Sequence, residues 1–311
     1  MSLRKRKLGL ALGGGGARGL SHIGVLQSLE REHIPVDLLV GTSIGALVGG
    51  AFCCGLSAIE LEQRVAEYLE SKEFESSAMK AFETAHGKQD LAFHQKIQRF
   101  FKNRYYMVQS LFRPGLLSQE DFQVTINHFI PDISIQETRI PFRAVATDLI
   151  SGERIVFSEG SMRQALAASC AVPGAVAPLK EGDWLLSDGG IICNIPVSVA
   201  RQEGADVVIA VPVDRDACSE SECETVLGIY FRASEIMACQ LQNMELQDAD
   251  IVIRPNVGNL HWSSFSQARD LISEGGRAVD EKLDEIRSAV FGLKGLLRAL
   301  PGRIAKAIRE W

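Results

Sequence analysis

The sequence predicts an α/β protein with three layers, in which a largely parallel central sheet lies between helices. Apolar runs of strand length alternate with helical patterns along most of the chain, and the first two runs each lead through glycines into a helix. Strands that alternate with helices are typical of parallel sheets. The 311 residues, 46% of them hydrophobic, suffice for a large core.

Seven apolar runs are predicted as strands. In chain order they read KLGLAL, VDLLVG, FRAVATD, RIVFS, DWLLSD, ADVVIAVPV and ADIVIRP. Helical patterns cover residues 19–32, 44–53, 161–170, 196–203, 222–246 and 264–290. Strands and helices therefore alternate along the chain. The sequence contains no internal sequence repeat and no low-complexity linker.

Two regions depart from this alternation and define the predicted domain boundaries. The main domain is expected over residues 7–285, and it includes a helical variable region at about 57–130 that either caps a site or forms an outer helical layer. Residues 286–311 are predicted as a basic amphipathic segment. Its last part, 291–311, carries five basic residues and one acidic residue. Such a segment can contact an anionic membrane surface, pack on its own domain or form a dimer contact.

Composition excludes several classes of protein. The net charge of −6 gives no electrostatic reason to expect nucleic-acid binding. The seven cysteines form no C-x-x-C pair, so neither a disulfide framework nor a zinc site is indicated, and a cytoplasmic location is expected. The basic N-terminus is followed by an apolar run too short for a signal peptide, and we interpret it as the first strand. No segment approaches the roughly 18 apolar residues of a membrane span.

The first motif is a glycine loop between the first strand and its helix. Gly14, Gly16 and Gly19 satisfy the G-x-G-x-x-G spacing in the setting that this motif requires. Glycines let an anion approach backbone N–H groups, and the helix N-terminus adds partial positive charge. The anion is either the pyrophosphate of a dinucleotide or the oxyanion of an acyl-transfer intermediate, and Arg18 suits both.

The second motif, Gly41-Thr42-Ser43-Ile44-Gly45, lies between the second strand and its helix. G-x-S-x-G in this position is typical of a nucleophile elbow, in which flanking glycines permit a strained turn that exposes the serine hydroxyl. A dinucleotide site would instead need an acidic residue near the end of the strand, whereas Asp37 lies near its start. An ordinary helix cap is the alternative interpretation of Ser43.

The third motif is Asp188-Gly189-Gly190, which follows the strand DWLLSD. A serine hydroxyl needs a neighbouring base, and a carboxylate becomes adequate when burial raises its pKa. Asp188 before glycine is also a common turn residue. A triad of Ser43, Asp188 and His261 is the alternative arrangement, since His261 is the only histidine after Asp188. His22 is interpreted as a helix residue packed near the glycine loop.

In this order the three motifs resemble those of the patatin-like phospholipase family of lipid acyl hydrolases. The connecting segments ATDLISGERIVFSEG, ASCAVPGAVAPL and NIPVSVARQEGADVVIAV also look like those of the family. The resemblance covers residues 7–285 and is weakest over 70–130. It implies the patatin-like α/β/α fold and cleavage of ester bonds in phospholipids or related lipids.

The resemblance also implies roles for individual residues. Ser43 would be the nucleophile, Asp188 the base, and the N–H groups of Gly14, Gly15 and Gly16 the oxyanion hole. The residues in supporting positions would be Arg18, Gly19, Gly41, Gly45, Gly189 and Gly190. No metal or other cofactor is expected. Asn194 receives no role, because Ile195 separates it from Pro196 where many relatives have Asn-Pro.

Two further functions remain as alternatives. One is a soluble esterase or thioesterase that acts on short acyl chains. The other is a regulatory patatin-like module with weak activity.

Overall fold

The computed structural model of the chain describes residues 6–75, 77, 80, 83–84, 115–214 and 225–292. Ten strands are described. They are β1 Leu8–Leu12, β2 Leu38–Thr42, β3 Gly115–Leu117, β4 Phe142–Asp148, β5 Arg154–Phe157, β6 Gly174–Val176, β7 Leu179–Glu181, β8 Trp184–Asp188, β9 Val207–Val211 and β10 Ile251–Val252.

Eight of the described strands form the central sheet, in the spatial order β10-β9-β1-β2-β4-β8-β7, with β5 also paired to β4. The five strands from β10 to β4 are parallel to their neighbours, and β5, β8 and β7 join antiparallel. The prediction of a largely parallel sheet is therefore confirmed. β3 and β6 form a separate two-stranded sheet.

The described α-helices follow the strands in the predicted order. They are α1 Ser21–Arg31, α2 Ile44–Cys53, α3 Ala58–Leu69, α4 Lys72–Glu75, α5 Gln119–Phe129, α6 Met162–Ser169, α7 Val197–Gln202, α8 Val226–Leu246, α9 Ala268–Asp280 and α10 Leu283–Phe291. Short 3-10 turns precede α1, at Gly16–Leu20, and follow β8, at Gly189–Ile191.

Both faces of the sheet are buried, which explains why the strands are apolar without a polar face. In β1 the side chains of Leu8, Leu10 and Leu12 belong to the larger core, which includes α1, α2, α3, α5, α6, α9 and α10. Ala11 points to the opposite face, where α7 and the end of α8 cover a second core. The sheet thus lies between two helical layers, as predicted.

All seven predicted strands occur, and the differences concern short or terminal elements. The three-residue strands β3, β6 and β7 were not predicted, because three residues carry too little alternation to indicate a strand. The helical pattern 264–290 is divided into a 3-10 turn, α9 and α10. The predicted domain boundary between residues 285 and 286 falls inside α10. Ile286 and Val290, which follow that boundary, are buried in the larger core.

The described parts of the variable region form α3, α4, β3 and α5. Their buried side chains belong to the same core as α1 and α2. The remainder of that region, and residues 293–311 of the basic segment, lie outside the described residues. Within the described part of the chain, no helix is both long and apolar enough to cross a membrane.

Candidate active site

The strand order brings Ser43 and Asp188 together, although 145 positions separate them in the sequence. β4 lies between β2 and β8, with Thr42 in register with Val145 and Asp188 in register with Ala146. The residue after β2 and the last residue of β8 therefore lie at the same level on the two sides of β4. Ser43 acts as a side-chain hydrogen-bond partner of Asp188. Both residues are buried.

Ser43 occupies the sharp turn between β2 and α2. Its φ of 57° is positive, which is unfavourable for a residue with a side chain. Its N–H donates to Oγ of Ser169 at 3.0 Å, and the Ser169 hydroxyl donates to the carbonyl of Val145 at 2.6 Å. These bonds fix the turn to β4 and direct the Ser43 side chain towards Asp188.

The predicted supporting glycines permit close packing around this turn. A Cβ on Gly45 would overlap the carbonyl of Leu12, at the end of β1. A Cβ on any of the other four predicted glycines would also meet a neighbour too closely. The pairs are Gly19 with Ile44, Gly41 with Ala46, Gly189 with the Val145 carbonyl, and Gly190 with the Asn194 side chain. Glycine at these positions lets the ends of β1, β2 and β8 approach each other.

Asp188 ends β8 and caps the 3-10 turn that follows. One carboxylate oxygen accepts the N–H of Gly190 at 2.7 Å. The pKa of Asp188 is raised to about 6 because burial, and to a lesser degree the charge of Asp214, outweigh the hydrogen bonds from Ser43 and Gly190, which lower it. A carboxyl with this pKa can accept a proton near neutral pH.

The glycine loop lies directly against Ser43. A Cβ added to Gly14 would lie 3.1 Å from the Cβ of Ser43 and 2.6 Å from Oδ1 of Asn194. The N–H of Gly14 donates to the carbonyl of Asn194 at 3.2 Å. Since that N–H is already engaged, Gly15 and Gly16 are the better candidates for donors to an oxyanion.

A partly buried polar network holds the glycine loop and the Asp188 turn together. Arg18 donates to the carbonyl of Gly15 and to the carboxylate of Asp214, both at 3.1 Å. Asp214 also accepts a hydrogen bond from the side-chain amide of Asn194. Burial raises the pKa of Asp214, while Arg18 and Asn194 lower it. Arg18 thus contacts the loop that it was predicted to support.

Neither histidine lies between Ser43 and Asp188. His22 is fully buried, and its Nε2 donates to the carbonyl of Gly13 at 2.8 Å. Burial lowers the pKa of His22 to about 4, so the ring is neutral near pH 7. Nδ1 of His261 bonds with the hydroxyl of Ser263 at 2.8 Å. Direct contact between Ser43 and Asp188 leaves no place for the imidazole of a triad.

Ser43 opens onto an apolar cavity of about 130 Å³. The helices of the variable region form one wall, through Leu61, Val65 and Tyr68 of α3 and Phe122 and Phe129 of α5. The described part of this region therefore borders the cavity, and the same side chains also belong to the larger core. The remaining lining residues include Leu20, Ile23, Leu47, Val48, Val172, Val176, Trp262 and Phe265.

Three residues of the site were not predicted. Ser169 supports the elbow, and Asn194 and Asp214 connect the glycine loop to the Asp188 turn. Ser169 and Asn194 lie in segments that carry the family resemblance, but no local motif distinguishes them. Among the described residues, no group of three or more His, Cys, Asp or Glu side chains could hold a metal ion.

The strained backbone of Ser43 leads to a prediction about stability. Ser43→Gly should be more stable than Ser43→Ala by about 1 kcal/mol, because glycine adopts positive φ without a Cβ penalty. Urea unfolding of both variants measures the difference. The matched pair Ser288→Gly and Ser288→Ala, within α10, should show the opposite order by about 1 kcal/mol. Equal stability of the two Ser43 variants would contradict the predicted strain.

The fold and the site together define a class of protein. A serine at a strand-to-helix elbow contacts an aspartate across a largely parallel sheet, beside a glycine loop and an apolar cavity. The family model described as "Patatin-like phospholipase" matches residues 10–201. The chain belongs to the patatin-like phospholipase family.

Similar proteins occur in animals and bacteria. Patatin-like phospholipase domain-containing protein 6 of Mus musculus is 35% identical over 226 residues, which are 72% of this chain and 14% of that protein. An uncharacterized NTE family protein of Mycobacterium bovis is 32% identical over 208 residues, or 67% of this chain and 49% of the relative. The chain thus spans half or less of the length of these relatives.

A solved structure supports the assignment of the fold. VipD from Legionella pneumophila superposes with a TM-score of 0.51 at 16% sequence identity. The match covers 90% of this chain and 67% of that chain. The predicted patatin-like α/β fold is confirmed.

Proposed function

We propose that this chain is a serine acyl hydrolase that cleaves carboxylic ester bonds of phospholipids or related lipids. The observation that carries the proposal is the contact of Ser43, on a strained turn, with a buried Asp188 beside an apolar cavity. Membership of the patatin-like phospholipase family supports the same class of reaction.

In the proposed acylation step, Oγ of Ser43 attacks the ester carbonyl carbon while its proton moves to Asp188. The N–H groups of Gly15 and Gly16 donate to the developing oxyanion, where one such donor is worth about 3–4 kcal/mol. The intermediate collapses as the C–O bond to the alcohol breaks. Asp188 returns its proton to the leaving oxygen, and an acyl-enzyme remains.

Water completes the proposed cycle. Asp188 accepts a proton from the water as its oxygen attacks the acyl carbon. The second tetrahedral intermediate releases the fatty acid, and Oγ of Ser43 regains its proton from Asp188. The direct contact of the two side chains allows one carboxyl group to serve both steps.

The activity test uses p-nitrophenyl esters from acetate to dodecanoate and phospholipids in mixed micelles, with Ser43→Ala as the blank. Turnover of phospholipids and of the longer esters is expected. Activity limited to acetate and butyrate, without lipid turnover, would favour the short-chain esterase or thioesterase. Failure of a fluorophosphonate probe to label Ser43 would favour the regulatory module.

The apolar cavity should accept the acyl chain, and narrowing it should change chain-length preference. Val65→Phe should lower kcat/KM for the decanoate ester, relative to the acetate ester, by about tenfold, since added core volume is accommodated poorly. Ile59→Phe, at a residue of α3 that is 62% exposed, is the matched control. An unchanged ratio in Val65→Phe would exclude this cavity as the acyl site.

Asp214 should influence the pH dependence of hydrolysis. Asp188 faces the hydroxyl of Ser43, the thiol of Cys170 and the charge of Asp214, which is itself paired with Arg18. Removing the Asp214 charge should lower the pKa of Asp188. In Asp214→Asn, the acidic limb of kcat/KM should therefore lie at lower pH than in the wild type. An unmoved limb would show that the two carboxylates do not interact.

Two further proposals rest on the sequence alone. The basic segment 291–311 would give peripheral contact with a lipid surface, and the protein would be cytoplasmic. Residues 293–311 of this segment lie outside the described residues.

A further inference from the structure

Helix α8 presents a long apolar stripe to solvent. Among the side chains of α8 that the structure describes, six large aliphatic ones are between 41% and 88% exposed, and they are Val226, Ile229, Ile236, Met237, Leu241 and Met244. At 100° per residue, these positions fall within an arc of about 140° on one side of the helix. We call this surface the α8 stripe.

The opposite side of α8 attaches the helix to the domain. Glu245 accepts hydrogen bonds from the N–H and hydroxyl of Ser198, at 3.0 and 2.9 Å, and Leu246 is buried in the second core. The stripe is therefore not the face by which α8 packs on its own sheet. Its exposure needs another explanation.

The stripe is larger than the apolar surface that a monomer usually leaves open. If a large side chain exposes about 200 Å² when free, the six residues expose roughly 700 Å². The largest apolar patch on a typical monomer is about 300–600 Å². A standard protein interface buries about 800 Å² on each partner. The stripe alone thus approaches the area that each partner of a stable dimer buries.

Charge distribution favours a protein partner over a lipid surface. The helix carries one basic residue, Arg232, and two acidic residues, Glu235 and Glu245. Arg232 pairs with Glu235 at 3.3 Å, beside the stripe rather than within it. An interfacial membrane helix usually has a polar face rich in Lys and Arg, which α8 lacks. The stripe itself contains no charge that pairing would bury.

The residues along the stripe are arranged so that it can pair with an antiparallel copy of itself. If the two helices cross at residue 235, Val226 of one copy lies opposite Met244 of the other. The small Ala233 then lies opposite the large Met237. Two copies related by a two-fold axis would therefore place apolar residues opposite each other at the ends, and small opposite large near the centre. Self-complementary surfaces of this kind generate closed two-fold dimers.

From these observations we propose that the α8 stripe is the contact between two copies of this chain, arranged antiparallel about a two-fold axis. The proposal is independent of the acyl hydrolase activity, because no stripe residue lines the Ser43 cavity. It can therefore fail or succeed separately from the proposed function.

The test measures the mass of the full chain by sedimentation equilibrium over a range of concentrations. We expect twice the 34.0 kDa of one chain. Met237→Glu and Met244→Glu should each raise the dimer dissociation constant at least about 100-fold. The double variant Met237→Ala, Met244→Ala removes the same contacts without adding charge and should weaken the dimer less. Val124→Glu, at an exposed residue of α5, is the control.

Thermal unfolding should show that all variants remain folded. A wild-type monomer would overturn the proposal, and so would a dimer whose dissociation constant is unchanged in both Glu variants. Co-sedimentation of a monomer with phosphatidylcholine vesicles, lost in Met237→Glu, would assign the stripe to a lipid surface instead. If the protein is a monomer and Met237 and Met244 resist chemical oxidation, another segment of the same chain covers the α8 stripe.

Discussion

Ser43→Ala is expected to lower kcat for ester hydrolysis by at least about 1,000-fold, because the proposed mechanism has no other nucleophile. The variant should fold normally. The N–H of Ser43 still reaches Oγ of Ser169, so the contact that holds the elbow to Ser169 is kept. Initial rates with p-nitrophenyl butyrate and with phospholipid micelles measure the loss.

The control for this experiment is Ser288→Ala, a serine in α10 that does not line the cavity. It should retain full activity. A fluorophosphonate probe should label the wild type and Ser288→Ala at Ser43, and should not label Ser43→Ala. Comparable hydrolysis by wild type and Ser43→Ala would remove the serine mechanism altogether.

The local features of the site were predictable because each depends on neighbouring residues. G-x-S-x-G between a strand and a helix indicates an elbow, and the structure places Ser43 at positive φ there. Asp188 before two glycines indicates a turn, and its carboxylate accepts the N–H of Gly190. In both cases the backbone conformation follows from a few adjacent positions.

The meeting of the two motifs was not predictable from spacing alone. It depends on the insertion of β4 between β2 and β8, and on the register that aligns Thr42 with Val145 and Asp188 with Ala146. Strand order is determined by the packing of the whole sheet. Family resemblance supplied the expected pairing, and the structure supplies the physical reason for it.

The supporting network was missed for a related reason. Asp214 follows β9 and reaches Arg18 and Asn194 only because β9 pairs with β1. No motif within its own segment indicates such contacts. Gly14 shows a similar case, because the resemblance implies a role for its N–H in the oxyanion hole, and in the structure that N–H donates to the carbonyl of Asn194. A hydrogen bond to a distant carbonyl cannot be inferred from a local pattern.

The burial of Asp188 connects catalysis with stability. Its pKa rises from 3.8 to about 6, which corresponds to about 3 kcal/mol. The folded protein therefore holds a proton on this carboxyl more tightly than the unfolded chain does. Its free energy of unfolding should fall as pH rises from about 4 to about 6, and the ionised group should lower stability above that range.

Asp188→Asn should thus lose activity and gain stability. We expect kcat to fall by about 1,000-fold, since the amide cannot accept the Ser43 proton, and the acidic limb of the wild-type profile near pH 6 should disappear. Above pH 6 the variant should be more stable by up to about 3 kcal/mol, and the difference should vanish below about pH 4.

Kinetics over pH 4–9 and urea unfolding at pH 4 and pH 8 measure both effects. Asp183→Asn, at an exposed residue before β8, is the control and should change neither quantity. Full activity of Asp188→Asn would exclude Asp188 as the base. A loss of activity without a gain of stability at pH 8 would contradict the raised pKa of Asp188 while leaving its role as the base intact. The two measurements separate the chemical role of this carboxyl from the energy needed to keep it inside the protein.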